Sequence, residues 1–394
     1  MQANYIKDLF NLKGVIIKNF YESNEFFNLK VELPKTPHTC PHCGSITSKI
    51  HDYRTQIIKD MPLRFKKVLI YYRKRRYECK SCGKSFFENN NIVRKYFRTT
   101  TSLLEYVVQQ LKSMSSIKSI ANNCGVSQYY VSRLLPYFTF KPHSLPRVLC
   151  IDEFKGNSGG FKYNVLLIDG ETHEIVDIVK CRYKHYLADY FRSFSQEVRD
   201  NVKFFVTDLW NTYRDLAFTF FRHAKVIADN FHFARYVTKV VDDLRRQVQA
   251  KLPADSRKWF KHSRRLLLSR RCKIKSEEDF IQLNYMLINF SEDLRIAYRE
   301  KEKLLDIIHS NDDISLKLKK FNDWIFYNTT SSVKGLRECA STYHNWAVEI
   351  RNAITYGYSN GPTEGKNNKI KVYKRICFGL RNFNNFKARL MLIN

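Results

Sequence analysis

Val148-Leu149-Cys150-Ile151-Asp152 and Phe204-Phe205-Val206-Thr207-Asp208 are two short apolar runs that each end on an aspartate. Runs of this length and composition read as buried strands. A carboxylate at the tip of a buried strand carries a desolvation cost, so it marks a candidate site. Outward from these runs, Arg147 to Glu153, Phe161 to Ile168 and Ile175 to Cys181 read as three consecutive strands, with turns at Gly159-Gly160 and Asp169-Gly170. A helix from His185 to Phe194, a strand from Lys203 to Thr207, a helix from Asn211 to Phe221 and a strand from Ala224 to Ala228 follow. The order β-β-β-α-β-α-β predicts a ribonuclease H-like α/β core. That fold carries its first acid on the first strand and its second just after the fourth, the positions of Asp152 and Asp208.

A third acid, Glu364, opens a basic helix in Ser359-Asn360-Gly361-Pro362-Thr363-Glu364-Gly365-Lys366. Pro362 suits a first turn, and Ser359 or Asn360 is the expected cap. Glu364, Asn368, Lys371 and Arg375 share one face at i, i+4, i+7 and i+11, so the acid is expected to meet a cation while the others follow a phosphate backbone. Glu153 falls on the opposite face of its strand from Asp152. Asp229, in Ile227-Ala228-Asp229-Asn230-Phe231-His232, also ends a strand; it is read as a cap, a supporting group or a ligand, with His232 beside it.

The charge balance favours a polyanionic partner. Lys and Arg number 68 against 38 Asp and Glu, a net charge of +30 with a pI near 9.7, which points to nucleic acid. Hydrophobic residues at 44% support a sizeable globular core. No apolar run is long enough to span a bilayer, and the first residues lack a signal-peptide pattern. A cytoplasmic protein associated with nucleic acid is expected, with its ten cysteines reduced or metal-bound.

Cys40-Pro-His-Cys43-Gly and Cys79-Lys-Ser-Cys82-Gly are matching knuckles. Each turns two thiolates toward one ion, with glycine supplying the positive φ that follows, so Cys40, Cys43, Cys79 and Cys82 are expected to hold structural zinc. His38, His42 and His51 are weaker substitutes. The 35 residues between the pairs leave room for a β excursion. Arg73, Lys74, Arg75 and Arg76 precede the second knuckle and are read as phosphate contacts. Downstream, Ser116 to Leu135 carries a helix-turn-helix pattern. Ala121 is small at the crossing, Gly125 makes the turn, Ser127 caps the second helix, and Val131 and Leu134 face inward. Gln128, Tyr129, Ser132 and Arg133 would then face DNA.

The fold class is therefore multidomain α+β. A zinc-binding domain (1–90) and a helix-turn-helix domain (91–142) precede the first part of the catalytic core (146–232). A helical insertion (233–356) separates that part from the core's C-terminal helix and tail (357–394). Trp259, Trp324 and Trp346 in the insertion are read as core packing, with base stacking as the alternative. Three carboxylates converging from separate elements suit two Mg²⁺ or Mn²⁺ ions acting on a phosphodiester.

The chain resembles the transposases of bacterial insertion sequences of the ISL3 family over nearly its whole length. The resemblance rests on Cys40-Pro-His-Cys43, Asp60-Met-Pro62 and Arg75-Arg76-Tyr77-Glu78-Cys79; on Ile151-Asp152-Glu153-Phe154; on Thr207-Asp208-Leu-Trp-Asn-Thr-Tyr213 running to Asp229-Asn-Phe-His232; and on Ser359 to Lys371 with Lys374-Arg375 and Gly379. It implies a DDE recombinase that binds terminal inverted repeats, nicks element ends and joins the 3′-hydroxyl to target DNA. Asp152, Asp208 and Glu364 become its metal ligands, and a homodimer or higher multimer on DNA is expected. One departure is Phe221-Arg222-His223-Ala224, where a proline-asparagine turn is the family's pattern. Two alternatives remain: a DNA-binding regulator derived from such an enzyme, against which all three acids argue, and a structure-selective nuclease, which strand-transfer products would separate.

Overall fold

The computed structural model describes residues 2–377 and 380–394, so Gly379 of the C-terminal motif lies outside the described residues. The chain forms two compact units, one reaching Thr139 and including Val372–Asn394, the other Phe140–Lys371.

The first unit opens with α1 (Gln2–Leu9), β1 (Ile16–Glu22), β2 (Phe26–Glu32), β3 (His38–Thr39) and β4 (Ile46–Thr47). A long hairpin of β5 (Ile50–Leu63) and β6 (Lys66–Glu78) follows, then β7 (Ser85–Phe87). The sheet order is β1-β2-β6-β5 with β7 on β6; β2 and β6 run parallel. Phe27, Leu29, Val31, Ile58, Val68, Ile70 and Tyr72 fill its core.

Along β6 the buried side changes parity, from Val68, Ile70 and Tyr72 to Arg75 and Tyr77. This corrects the reading of the whole Arg73–Arg76 run as phosphate contacts, because Arg75 is only 4% exposed. Its guanidinium donates to Leu33 O at 2.8 Å and Glu88 Oε2 at 3.1 Å. Glu88 Oε1 in turn accepts from Arg75 N at 2.9 Å and Tyr72 Oη at 2.7 Å. A strand interior accepts a guanidinium when a buried carboxylate such as Glu88 pairs with it. Arg73 remains outside, stacked 3.9 Å from the Tyr53 ring. Lys74 sits over Phe87, and Arg76 is 3.7 Å from Asp52.

Helices α2 (Thr101–Gln110), α3 (Ile117–Cys124) and α4 (Gln128–Leu134) form the helix-turn-helix region. Ser116 and Ser127 accept from Ser119 N and Tyr130 N, both at 3.1 Å, and Gly125 takes φ +66°. Ala121 and Val131 are buried with Ile120, Cys124, Leu103 and Val107. Leu135 is the fully buried leucine, while Leu134 is only partly covered. Gln128, Tyr129 and Arg133 are exposed, with Ser132 half-buried.

The stretch 357–394, read as the core's C-terminal helix and tail, is divided between the two units at Lys371. The last helix (Phe383–Ile393), within the stretch read as the tail, groups with the first unit. Its buried Arg389 donates to Ser113 O at 3.0 Å and Ser115 O at 2.8 Å, satisfying carbonyls between α2 and α3, and Leu392 packs on the same core.

In the second unit, β8 (Val148–Phe154), β9 (Asn164–Asp169), β10 (Ile175–Val179), β11 (Phe204–Thr207) and β12 (Lys225–Ala228) form a sheet ordered β10-β9-β8-β11-β12. The first three run antiparallel; β11 runs parallel to both β8 and β12. Helices α5 (Lys184–Arg192), α6 (Gln196–Asp200) and α7 (Asn211–Phe220) lie between these strands in sequence. Leu187, Phe191, Leu216 and Phe220 of α5 and α7 meet Leu149, Ile151, Leu167 and Phe205 of the sheet.

The chain then leaves along α8 (Asn230–Lys251) through α9 (Ala254–Arg257), α10 (Ser263–Leu268), α11 (Glu277–Asn289), α12 (Glu292–His309), α13 (Ile314–Thr329) and α14 (Lys334–Asn345). It returns on α15 (Ala347–Tyr356), placed in the insertion by the sequence reading but packed on the sheet. Asn352 Nδ2 donates to Val226 O at 2.8 Å, and Tyr356 stacks 4.9 Å from Phe204. Trp324 and Trp346 are buried, and Trp259 stacks on Tyr285. Among the described residues no helix is long and apolar enough to cross a membrane.

Arg75→Ala should cost about 3–5 kcal/mol of stability because it strands the Glu88 carboxylate in the interior, whereas Arg73→Ala should stay within about 1 kcal/mol. Urea denaturation of both variants checks this; equal midpoints for Arg75→Ala and wild type would return Arg75 to the surface role.

Candidate active site and zinc centre

Strand alternation sends Leu149 and Ile151 toward α5 and α7, and so turns Asp152 to the other face of the sheet. That face carries the start of α16 (Gly361–Cys377). Asp152 Oδ2 accepts from Asn367 Nδ2 at 2.6 Å, and its Oδ1 accepts from Glu153 N at 2.6 Å. Glu153 points away, as its parity requires, and pairs with Arg182 at 2.5 Å. Asp208 follows β11 on the neighbouring strand, and Asp229 follows β12 as the residue before α8. Single ligand atoms of Asp208, Asp229 and His232 all lie within 4.8 Å of one another. His232 Nε2 is 3.2 Å from Asp208 Oδ1 without hydrogen-bond geometry.

Asn360 joins these elements. Its amide N donates to Asp229 Oδ1 at 2.8 Å, and its Nδ2 donates to Ile151 O at 3.0 Å. The expected capping role of its side chain is therefore replaced by a bond to β8, while Ser359 Oγ accepts from Gly361 N at 3.3 Å. The helix buries Asn360, Thr363, Asn367 and Ile370, leaving Glu364, Asn368, Lys371 and Arg375 exposed on a shared face. Glu364 stands on the first turn, beside the buried stripe and outside the cluster of Asp208, Asp229 and His232. Asn367 escaped the sequence reading; the available signal was its place at i+7 from Asn360 and i+4 from Thr363, a stripe of small polar residues facing acids.

Burial, then the neighbouring Asp208 charge, pushes the Asp152 carboxyl up to about 7. Burial, then Asp229, raises Asp208 to about 7, and burial raises Asp229 as well. Crowded, desolvated carboxyls resist ionisation unless a cation joins them. Buried oxygens without a donor stand on the same elements as the acids: Asp208 Oδ1, Asn360 Oδ1, Thr363 Oγ1 and Asn367 Oδ1. Hard, unsatisfied oxygens beside raised carboxyls fit a divalent cation.

At the other centre, Cys40 Sγ lies 3.7 Å from Cys82 Sγ, and Cys43 Sγ 3.5 Å from Cys79 Sγ. Bonds of about 2.3 Å to tetrahedral zinc place sulfurs about 3.8 Å apart, so the four fit one ion. The knuckles are near copies: Gly44 N reaches Cys40 O at 3.0 Å and Gly83 N reaches Cys79 O at 2.9 Å, with φ of +77° and +68°. Hydrogen bonds from Ser45 draw the Cys43 thiol down to about 6, toward the thiolate that zinc binds. His38 packs edge-on against Tyr77 and His51 faces Asp52, both outside the cluster.

A family profile described as transposase matches residues 149–390, well over half of the chain. The chain belongs to the ISL3 family of transposases. Residues 36–82 match the zinc finger of the transposases of IS204, IS1001, IS1096 and IS1165, and residues 88–135 match the helix-turn-helix domain of transposase family ISL3. The transposase for insertion sequence element IS1001 of Bordetella parapertussis is 23% identical over 350 residues, 87% of this chain and 85% of that relative. A Lactococcus lactis subsp. lactis protein named ATP-dependent protease is 33% identical over 106 residues, 27% of this chain and 32% of its own length. The ISL3 assignment thus joins the zinc finger, helix-turn-helix and acid-bearing sheet in one chain.

Purified protein should carry one zinc per chain by elemental analysis, lost in Cys79→Ser; a full complement in that variant contradicts the four-thiolate site. For the acids, folded values near 7 against an ordinary 3.8 mean the folded chain holds extra protons between them. Their stabilising contribution is therefore lost as pH rises toward 7, and a cation that needs them ionised restores it. Added Mn²⁺ should raise the melting temperature more at pH 8 than at pH 6. An equal rise at both pH values would show that the cation binds elsewhere.

Proposed function

We propose that this ISL3 transposase binds the terminal inverted repeats of an insertion sequence and catalyses metal-dependent strand cleavage and strand transfer into target DNA. The observation that carries the reading is the meeting of Asp152 and Asp208 on adjacent central strands, with raised carboxyls and unsatisfied oxygens around them. The β10-β9-β8-β11-β12 order, with three antiparallel strands followed by two parallel additions, supports a ribonuclease H-like core. Asp152, Asp208 and Glu364 would hold Mg²⁺ or Mn²⁺, which supply nucleophile activation and stabilisation of the leaving oxygen.

The protein's own part is placement. Asn367 orients the Asp152 carboxylate by the bond to Oδ2. Asp229, through Asn360, holds the start of α16 against the sheet, and so sets where Glu364 stands. Arg182 draws Glu153 to the far face and keeps it from competing for the cation. Asn368, Lys371 and Arg375, exposed beyond Glu364, follow the phosphates of the bound strand. The zinc domain and the exposed Gln128, Tyr129, Ser132 and Arg133 read the terminal repeats, and two or more copies pair the ends.

Cleavage and joining of DNA bearing the element's own termini test this with Asp152→Ala, Asp208→Ala, Glu364→Ala and Asp229→Ala. The three triad variants should lose at least about a thousandfold in rate, and Asp229→Asn should be milder, since the amide oxygen still accepts from Asn360. An active Glu364→Ala would remove it from the ligand set. Binding without cleavage in any metal would favour a regulator, and cleavage without joining a nuclease.

A further inference from the structure

Four rings stand together at the surface of the second unit. Phe161, from the β8–β9 connection, lies 5.9 Å from Tyr183 and 5.4 Å from Tyr186. His185 lies 4.7 Å from Tyr186 and 6.2 Å from Tyr183. Phe161 is half-buried, with both tyrosines edge-on to it, but interior packing does not explain the other three: Tyr183 is 54% and Tyr186 39% exposed, and His185 is exposed between them. Core rings of this unit, such as Phe191 and Phe205, are fully covered.

One cation lies over a ring of the group, and two others lie over the neighbouring Tyr163. Lys180 lies 5.6 Å over Phe161, Lys162 lies 5.7 Å over Tyr163, and Arg182 lies 4.3 Å over Tyr163 and 5.4 Å over Trp210. Arg182 itself is paired with Glu153 on the face opposite Asp152, and Trp210 N donates to Asp208 O at 2.7 Å.

The backbone is built to hold this arrangement still. The tip Ser158-Gly159-Gly160-Phe161 is a tight turn with Gly159 at φ +66° and Gly160 at φ +86°. At its base, a Cβ on Gly156 would fall 1.4 Å from Asn164 Oδ1. Buried Asn164 donates to Lys180 O at 2.6 Å, locking the connection to the end of β10. Phe161 and Lys180 are therefore fixed relative to each other.

We propose that Tyr183, His185 and Tyr186, backed by Phe161, stack unpaired bases of a DNA strand whose phosphates are held by Lys162 and Lys180. Exposed rings beside cations match single-stranded nucleic acid, which offers π faces on a polyanionic backbone. A duplex keeps those faces covered. The identity of the strand, the one opened beside the acids for cutting, rests on the proposed function; the stacking itself does not.

Fluorescence anisotropy of labelled oligothymidylate tests the platform, with full-length zinc-loaded protein, no added Mg²⁺ or Mn²⁺, and salt raised to screen non-specific attraction. The double variant Tyr183→Ala/Tyr186→Ala should bind about tenfold or more weakly. Tyr183→Phe/Tyr186→Phe should bind within about twofold of wild type, because stacking needs the ring and not the hydroxyl. Duplex terminal-repeat binding should be unchanged in both, and wild-type thermal melting and far-ultraviolet circular dichroism show that the second unit of each variant folds. Wild-type affinity in the alanine pair overturns the platform, as does equal loss in the phenylalanine pair. Inactivity at the termini with ring-dependent oligothymidylate binding would sink the recombinase reading alone, whereas normal cleavage with ring-independent binding would sink the platform alone.

Discussion

Asn360 is the constraint on which the acid-bearing site depends. Its backbone amide is bonded to Asp229 after β12, and its side chain to the carbonyl of Ile151 on β8. One residue thus fixes the start of α16 to two strands at once, although more than a hundred residues of helix separate it from them in sequence. Both bonds are buried, where breaking one leaves an unsatisfied polar group at a cost of about 1–3 kcal/mol. The helix cannot slide or rotate without losing them. Asn367, two turns on, then reaches Asp152 because the register has already been set.

This explains why the carboxyls tolerate burial. Asp152, Asp208 and Asp229 are crowded and desolvated, and their charged forms are disfavoured without a cation. A fold held only by apolar contact would relax them outward. Here the bonds to Asn360 and Asn367, and the parallel pairing of β8, β11 and β12, hold them in place. Ionising all three costs free energy that a divalent cation would offset.

The zinc centre applies the same economy of constraint to a smaller region. Two knuckles of matched geometry draw the ends of β6 and the segment before β4 together, so a sheet with a modest core is held by four thiolates. Arg75 and Glu88 do the equivalent inside the sheet. The large positive charge is consequently divided between cations used in the interior, such as Arg75 and Arg389, and exposed ones that remain for nucleic acid.

Much was legible in the chain alone. The knuckles, the turn glycine Gly125, the Ser127 cap and the strand order around Asp152 and Asp208 rest on local rules: positive φ, capping and period-two burial. Those rules act over a few residues and so can be read one segment at a time. The inward face of α16 could not be read that way, because Glu364 and Asn367 are both polar and only contact with Asp152 shows which turns in. Nor could the burial of Arg75, the docking of α15 on β12 or the grouping of the last helix with the first unit. Each depends on a partner distant in sequence, Glu88, Val226 or Ser115, and hydrogen-bond satisfaction across such separations is decided only when the tertiary fold brings the groups together.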